Sequence, residues 1–182
     1  MTGLDEILEL ASRDLPAAGV ACLLIGGFAV NHYGYTRNTL DVDFMILSDR
    51  VDDVRRILSG AGFSNVSVSE TAAFFSKPGQ PWRVDFLCVD GATMRKLDAG
   101  AEAVVLHGHL LRVPALRDLL AMKIFALSQS PARRTDKDLP DIAWLAVLNN
   151  LDAKRDLLPL CRQFGTEELY RKIMDRMREL SA

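Results

Sequence analysis

The hydrophobic pattern of the first part of the chain changes between helical and strand-like spacing. Apolar residues recur every three or four positions over 4–15, which predicts an amphipathic helix. Continuous apolar runs over 20–25 and 41–47 predict buried strands, with a short helix between them, and a further helix is predicted over about 50–61. Three more strands are predicted over 62–69, 72–77 and 82–89. This order predicts an α/β (α+β) fold, a mixed β-sheet core with flanking helices.

The second part of the chain has mainly helical spacing. A hairpin is predicted over 103–113, where His107-Gly108-His109 forms the turn rather than a metal site. Helices are predicted over 114–128, 137–148, 154–164 and 166–180, with Pro159 as a kink or boundary. Residues 128–135 are expected to form a polar loop. The chain is therefore divided into an α/β core, 1–113, and a helical C-terminal part, 114–182.

Composition narrows the class of protein. A chain of 182 residues, 49% of them hydrophobic, is long and apolar enough for one proper core with a helical appendage. A net charge of −2 excludes a protein that coats nucleic acid through bulk charge. No apolar run reaches the ~20 residues of a membrane span, and no signal peptide is recognisable. We expect a cytoplasmic protein that does not bind membranes.

Two predicted strands carry acids where their pattern favours apolar residues. Asp41 and Asp43 are two positions apart and therefore project from one face of a strand. Asp85 repeats the pattern, because Val84-Asp85-Phe86 resembles Val42-Asp43-Phe44. If the strands are neighbours, three carboxylates converge, and hard cations such as Mg²⁺ relieve their repulsion. For any one of these aspartates alone, a turn cap or a solvent-facing side chain is the simpler interpretation.

A glycine pair precedes the acids. Gly26 and Gly27 follow the first strand and precede a short predicted helix. A strand, a glycine turn and a helix N-terminus together present backbone N–H groups that bind phosphate. Glycine pairs also occur in ordinary tight turns, so the prediction depends on the acids that follow.

Together these motifs resemble the nucleotidyltransferase superfamily related to DNA polymerase β. Within it, the chain is most similar to the small bacterial AbiEii-type toxins and minimal nucleotidyltransferases, over residues 24–43, 84–86 and a later segment. The resemblance implies that Gly26 and Gly27 hold the triphosphate of the nucleotide. It also implies that Asp41, Asp43 and Asp85 are catalytic residues and metal ligands. Of these, Asp85 completes the second metal site and helps to activate the acceptor hydroxyl.

The later segment is VPALRDLLAMKIFAL followed by RRTDKDLPDIAWL. By resemblance, Lys123 reaches the triphosphate; the alternative is a lysine whose ammonium extends into water. Arg37 either faces the nucleotide or is a solvated loop charge. By the same resemblance, a polar cluster that follows Lys123 would lie on the rim of the site: Arg134, Lys137, Asp138 and Asp141. Asp138 and Asp141 are three positions apart on a predicted helix, and the alternative is that they only orient Lys123 or Arg134, so these roles stay open.

The implied reaction is transfer of a nucleoside monophosphate from an NTP, ATP among the candidates, to an acceptor hydroxyl, with release of pyrophosphate. Two Mg²⁺ ions are expected as cofactors, with Mn²⁺ as the alternative. The expected acceptor is RNA, such as tRNA, or a protein, and the chain is then a toxin with a cognate antitoxin. One alternative is modification of a small molecule such as an aminoglycoside-like antibiotic; another is a non-catalytic binding partner. The cationic face of the last predicted helix is either solvated or a surface for RNA.

Overall fold

The computed structural model describes residues 3–181, except for the side chain of Asn65. Two compact units are present. The sheet unit runs to Ala29 and again from Arg37 to Ala115, and the helical unit comprises Val30–Thr36 and the chain from Leu116 onward. The division at 115/116 lies two residues beyond the predicted boundary at 113/114. The inclusion of 30–36 in the helical unit was not foreseen from the sequence.

The sheet unit contains seven strands and five α-helices among the described residues. Its strands are β1 (Cys22–Ile25), β2 (Asp41–Leu47), β3 (Ser64–Val68), β4 (Ala72–Ser76), β5 (Arg83–Val89), β6 (Glu102–Leu106) and β7 (His109–Val113). Its helices are α1 (Gly3–Glu9), α2 (Leu15–Ala17), the start of α3 (Gly26–His32), α4 (Val51–Gly60) and α5 (Gly91–Ala99). A π-helical segment, Leu10–Asp14, joins α1 to α2. The predicted mixed sheet with flanking helices is confirmed.

The main sheet has five strands in the order β1-β2-β5-β4-β3. Only β2 and β5 pair in parallel, while the other three pairs are antiparallel. Three phenylalanines form the core of this sheet, with Phe86 centred 5.8 Å from both Phe44 and Phe75. This face of the sheet lines a small cavity together with apolar residues from the first helices and α4, such as Ile7 and Leu58. Because alternate side chains point to opposite faces, the residues between these apolar positions lie on the other face.

The strands β6 and β7 form a separate two-stranded sheet, as predicted. His107 and Gly108 both have positive φ, 50° and 83°, which is typical of a two-residue hairpin turn. The His107 ring contacts Asp5 at 3.1 Å, and the His109 ring contacts Ser12 at 3.2 Å. Each histidine therefore has its own polar partner, which agrees with a turn rather than a metal site.

The helical unit contains four long or medium helices after the end of α3. They are α6 (Leu116–Gln129), α7 (Pro131–Leu148), α8 (Leu158–Phe164) and α9 (Glu167–Ser181), with a π-helical segment, Ala153–Leu157, before α8. The predicted polar loop over 128–135 is wrong, because α7 already begins at Pro131. Proline is favoured at the first helical position, where no N–H is needed, and the Thr135 hydroxyl donates to the Pro131 carbonyl at 2.8 Å. No helix within residues 3–181 combines the length and the apolar character that crossing a membrane requires.

The connection from β2 to α4 is a 3₁₀ turn, Ser48–Arg50, and neither Ser48 nor Asp49 caps the start of α4. The Ser48 hydroxyl instead donates to the Val89 carbonyl at 3.0 Å and so ties the ends of β2 and β5 together. The predicted boundary at Pro159 is confirmed, since Pro159 lies in the first turn of α8.

Candidate active site

The pairing of β2 with β5 places the three predicted acids on one face of the sheet. The parallel register sets Asp43 opposite Asp85 and Asp41 opposite Arg83. Side chains two positions apart share a face, so Asp41, Asp43, Arg83 and Asp85 all project from the side opposite the phenylalanine core. The acids are only half-buried. Sequence reasoning alone could not establish that these two strands are neighbours; the register shows it.

Arg83 is the residue of this cluster that the sequence analysis missed. Its Nε donates to Asp85 Oδ1 and its Nη2 to Asp85 Oδ2, both at 2.7 Å, and Nη2 also lies 3.3 Å from Asp41 Oδ2. The hydrogen bond to Asp85 raises the pKa of Arg83; burial opposes this, and the charges of Asp85, Asp41 and Asp43 add to it. The signal was available in the sequence, since Arg83 stands two positions before Asp85 and must share its face.

The glycine turn lies directly beside Asp43. The register pairs Ile25, the last residue of β1, with Asp43, so that Gly26 comes next to this carboxylate. Gly26 has φ +63°, and a Cβ there would collide with the Asp43 carboxylate. A Cβ on Gly27 would lie 3.0 Å from the Thr39 side chain, whose hydroxyl donates to the Asp41 carbonyl at 3.1 Å. Gly26 therefore requires the absence of a side chain, and a side chain at Gly27 would require Thr39 to shift.

The chemistry of these residues fits a divalent metal. Three carboxylates supply the hard oxygen ligands that Mg²⁺ prefers. As the side chains stand, no three acids, histidines or cysteines among the described residues form a closed set of ligands. The guanidinium of Arg83 lies on two of the three acids. The three carboxylates are thus suitable metal ligands and share one face of the sheet. In this structure, however, Asp41 and Asp85 are arranged around the Arg83 guanidinium rather than around a metal ion.

Lys123 lies within the helical unit, where it is 7% exposed. Its ammonium donates to Asp138 at 2.9 Å and to Asp141 at 2.7 Å, and both acids are buried. Burial acts to raise the pKa of Asp138, but the charges and hydrogen bonds of Lys123 and Arg134 prevail and lower it. The interpretation of Lys123 as a lysine extending into water is therefore wrong. Of the four neighbours whose roles were left open, Asp138 and Asp141 hold the lysine, and Arg134 contacts Asp138 at 3.0 Å.

Two further predicted features are placed by the structure. Arg37 is half-buried in the loop between α3 and β2, with an Nη1 to carbonyl distance of 3.5 Å to the neighbouring Asn38. The cations of α9 each have an acidic neighbour on the same helix, three or four positions away: Arg171 with Glu167, Lys172 with Glu168, Arg176 with Glu179 and Arg178 with Asp175. This balance of charge favours a solvated face over a surface for RNA.

Comparison of the sequence with known families gives one match. Residues 10–181 match the family described as "Nucleotidyl transferase AbiEii toxin, Type IV TA system". The match covers nearly the whole chain, including every predicted site residue. A search of curated proteins gives no match.

Solved structures share the fold at low sequence identity. A nucleotidyltransferase-like antigenic protein from Paracoccidioides brasiliensis has a TM-score of 0.62 at 17% identity, over 98% of this chain and 90% of that chain. The antibiotic-resistance enzyme ANT(2")-Ia, solved with adenylyl-2"-tobramycin, has a TM-score of 0.62 at 12% identity, over the full length of both chains. A tRNA-processing enzyme has a TM-score of 0.52 at 13% identity, over 97% of this chain and 56% of that chain. At these identities the likeness shows the fold alone.

Proposed function

Because this chain belongs to the AbiEii nucleotidyl transferase toxin family, we propose that it transfers a nucleoside monophosphate from an NTP to an acceptor hydroxyl with the help of divalent cations. The observation that carries the proposal is the register of β2 and β5. It sets Asp43 opposite Asp85, with Asp41 two positions away on the same face and the glycine turn beside them. A non-catalytic binding protein would have no need for three acids on one open face beside a turn that excludes side chains.

In the proposed reaction, an acceptor oxygen attacks the α-phosphorus of the NTP. A new P–O bond forms, the bond to the β-phosphate oxygen breaks, and pyrophosphate leaves. Asp85 accepts the proton of the attacking hydroxyl, since it lies on the strand away from the glycine turn. Asp41 and Asp43, with Asp85, would hold Mg²⁺ or Mn²⁺, which neutralises charge on the phosphates and lowers the pKa of the hydroxyl.

The nucleotide is proposed to approach the turn at Gly26 and Gly27. Exposed backbone N–H groups at such a turn bind phosphate, and the missing side chains let the ligand approach closely. Arg37, in the loop that leads into β2, is proposed as a further contact to the nucleotide. Lys123 stays a prediction as a phosphate ligand. Asp138 and Asp141 already take two of its three N–H donors, so a phosphate would take the third.

The acceptor is proposed to be RNA or a protein, as expected for a toxin that acts on the cell and is opposed by a cognate antitoxin. The family description supports the toxin role. The fold shared with ANT(2")-Ia does not by itself favour an antibiotic acceptor, because a tRNA-processing enzyme also shares the fold, at a lower TM-score.

The proposal is tested with the purified protein, α-labelled NTPs, Mg²⁺ and total bacterial cell extract, with an aminoglycoside added in a parallel reaction. We expect label from one NTP to enter an RNA or protein band, and none in EDTA. Asp43→Asn should abolish labelling, while Asp98→Asn, which changes an acid of α5 in the same unit, should leave it unchanged. Label in a small molecule only would move the acceptor to the antibiotic class, and no label under any condition would refute transfer.

A further inference from the structure

Arg83 places a fixed positive charge among the acids that the proposed function assigns to a metal. Its guanidinium binds both oxygens of Asp85 and approaches Asp41. We propose that Arg83 is a resident counter-cation of the acid cluster, which a divalent cation must displace before the metal site is complete. This inference rests on the proposed metal-dependent transfer and concerns the protein before any nucleotide binds.

The two cations compete because they use the same oxygens. A bound Mg²⁺ lies 2.0–2.1 Å from its carboxylate ligands. The guanidinium nitrogens lie 2.7 Å from the two oxygens of Asp85. A metal ion on either oxygen would therefore be within about 5 Å of the guanidinium if both stayed in place, and the two positive charges would repel each other. The ligand set can close only after Arg83 gives up at least part of its contact with Asp85.

Arg83 also has a contact that does not involve the acids. Phe74 of β4 is paired with Asp85 in the antiparallel register and so lies on the same face of the sheet. The Arg83 Cζ is 5.7 Å from the centre of the Phe74 ring, within the range of a cation–π contact. The Arg83 side chain is 46% exposed, so its outer end can move without disturbing the core. After displacement, the guanidinium would keep the aromatic ring and gain water.

A different role for Arg83 predicts the opposite result. If Arg83 only positioned Asp85 in the orientation that a metal needs, its removal would loosen the ligand and weaken metal binding. A competing cation, once removed, leaves the carboxylates more negative and strengthens metal binding. The direction of the change in affinity therefore separates a resident counter-cation from a positioning residue.

The test is the binding of Mg²⁺ or Mn²⁺ to the full-length protein without nucleotide, measured by calorimetry. Arg83→Gln should bind the ion about tenfold more tightly than the wild type or better, since charge-assisted hydrogen bonds to Asp85 no longer have to be broken. The matched control is Arg112→Gln. Arg112 belongs to the same unit, is 47% exposed and is also paired with an acid, Asp98, so the variant loses the same charge away from the site. Its affinity should stay within about twofold of the wild type.

A second readout does not depend on the metal-binding isotherm. In EDTA, Arg83→Gln leaves the acids without their counter-cation, so its melting temperature should fall below that of the wild type and of Arg112→Gln. Mg²⁺ should raise the melting temperature of Arg83→Gln more than that of the wild type. If Arg83→Gln does not fold, Arg83→Lys keeps the charge but loses the bidentate fork, and it should still bind the ion more tightly than the wild type.

The outcomes separate this inference from the proposed function. Equal or weaker ion binding by Arg83→Gln or Arg83→Lys, with normal binding by the wild type, overturns the counter-cation and leaves transfer intact. If the wild type binds the ion and Asp41→Asn with Asp43→Asn binds equally well, the ion is elsewhere and both proposals fail. Tighter binding by Arg83→Gln that is lost when Asp41 and Asp43 are also changed to asparagine supports the counter-cation.

Discussion

Replacing Lys123 with methionine should strongly destabilise the helical unit. Methionine keeps most of the length and volume of the side chain but removes the ammonium that Asp138 and Asp141 share. The side chains of the two acids are only 3% and 0% exposed, so water cannot replace the lost partner. Removing one member of a buried ion pair costs about 3–5 kcal/mol, because the remaining charge is left without compensation.

The matched control is Arg134→Met, which removes the other cation bound to Asp138. The Arg134 side chain is 50% exposed, and Asp138 keeps Lys123 as its buried partner in this variant, so the loss should cost less than about 1 kcal/mol. Adding Asp138→Asn and Asp141→Asn to Lys123→Met removes the stranded charges and should restore most of the stability. Comparing Lys123→Met with this triple variant separates the effect of the uncompensated buried charge from the effect of the altered side-chain shape.

Urea unfolding followed by tryptophan fluorescence measures the effect. Trp82 lies in the sheet unit and Trp144 in the helical unit, so a Trp82→Phe background makes the signal specific for the helical unit. At a slope of about 2 kcal/mol per molar urea, the loss corresponds to a midpoint lower by about 2 M. A shift of less than about 0.5 M at unchanged slope would refute the buried ion cluster.

The pH dependence of stability gives a second test, because lowering the pH should act in opposite directions on the wild type and on Lys123→Met. In the wild type the pKa of Asp138 is lowered on folding, so its stabilising contribution is present above its unfolded pKa and is lost as the pH falls through the folded pKa. Without Lys123, burial becomes the dominant influence on Asp138 and should raise its pKa. Lys123→Met should therefore regain stability relative to the wild type as the pH falls from 7 towards 5.

Three other changes test the site and its surroundings. Gly26→Ala should lower stability by about 1–2 kcal/mol through its positive φ alone, with a further loss of NTP affinity by calorimetry because the new Cβ meets Asp43. Asp85→Asn should lower single-turnover transfer by at least ~10²-fold at saturating NTP while leaving Mg·NTP affinity within about threefold; a wild-type rate would remove Asp85 from the chemistry. Arg176→Ala with Arg178→Ala should change neither RNA binding, measured by gel shift, nor transfer. Loss of RNA binding in this variant would show that α9 is an RNA-binding surface.

Much of the sheet unit could be predicted because its pattern and its motifs agree. The alternation of apolar and polar residues gave all seven strands to within about two residues, and the glycine pair with three acids pointed to the family now confirmed. The pairing of Asp43 with Asp85 could not be predicted, since periodicity shows which face of a strand is buried but not which strands are neighbours. The spacing of Arg83 from Asp85 places both side chains on one face, but the position of Arg83 opposite Asp41 depends on the pairing of β2 with β5 and cannot be derived from the sequence.

The helical unit was predicted less well, for two physical reasons. The first turns of α7 are exposed and polar, so residues 131–137 show no apolar periodicity, and only Pro131 marks the start of a helix. The second reason concerns Lys123, which stands alone in an apolar stretch. A single charge among apolar residues predicts a lysine whose ammonium reaches water. The two acids that accept its hydrogen bonds are 15 and 18 positions away in the sequence. The sequence offered these acids as partners of either Lys123 or Arg134, and the fold shows that both hold Lys123.

The early segment 30–36 bears on how the protein forms during synthesis. Within the helical unit, the Tyr35 ring stacks 5.5 Å from Trp144, and the Asn149 side chain donates to the Tyr33 carbonyl at 3.0 Å. These partners leave the ribosome more than a hundred residues later, about 5–20 s at ordinary translation rates. The strands β2 to β7 emerge in between, so the nascent chain must carry Tyr33 and Tyr35 without Trp144 and Asn149 throughout that interval. An exchange of helices between relatives would likewise have to carry this heptapeptide along.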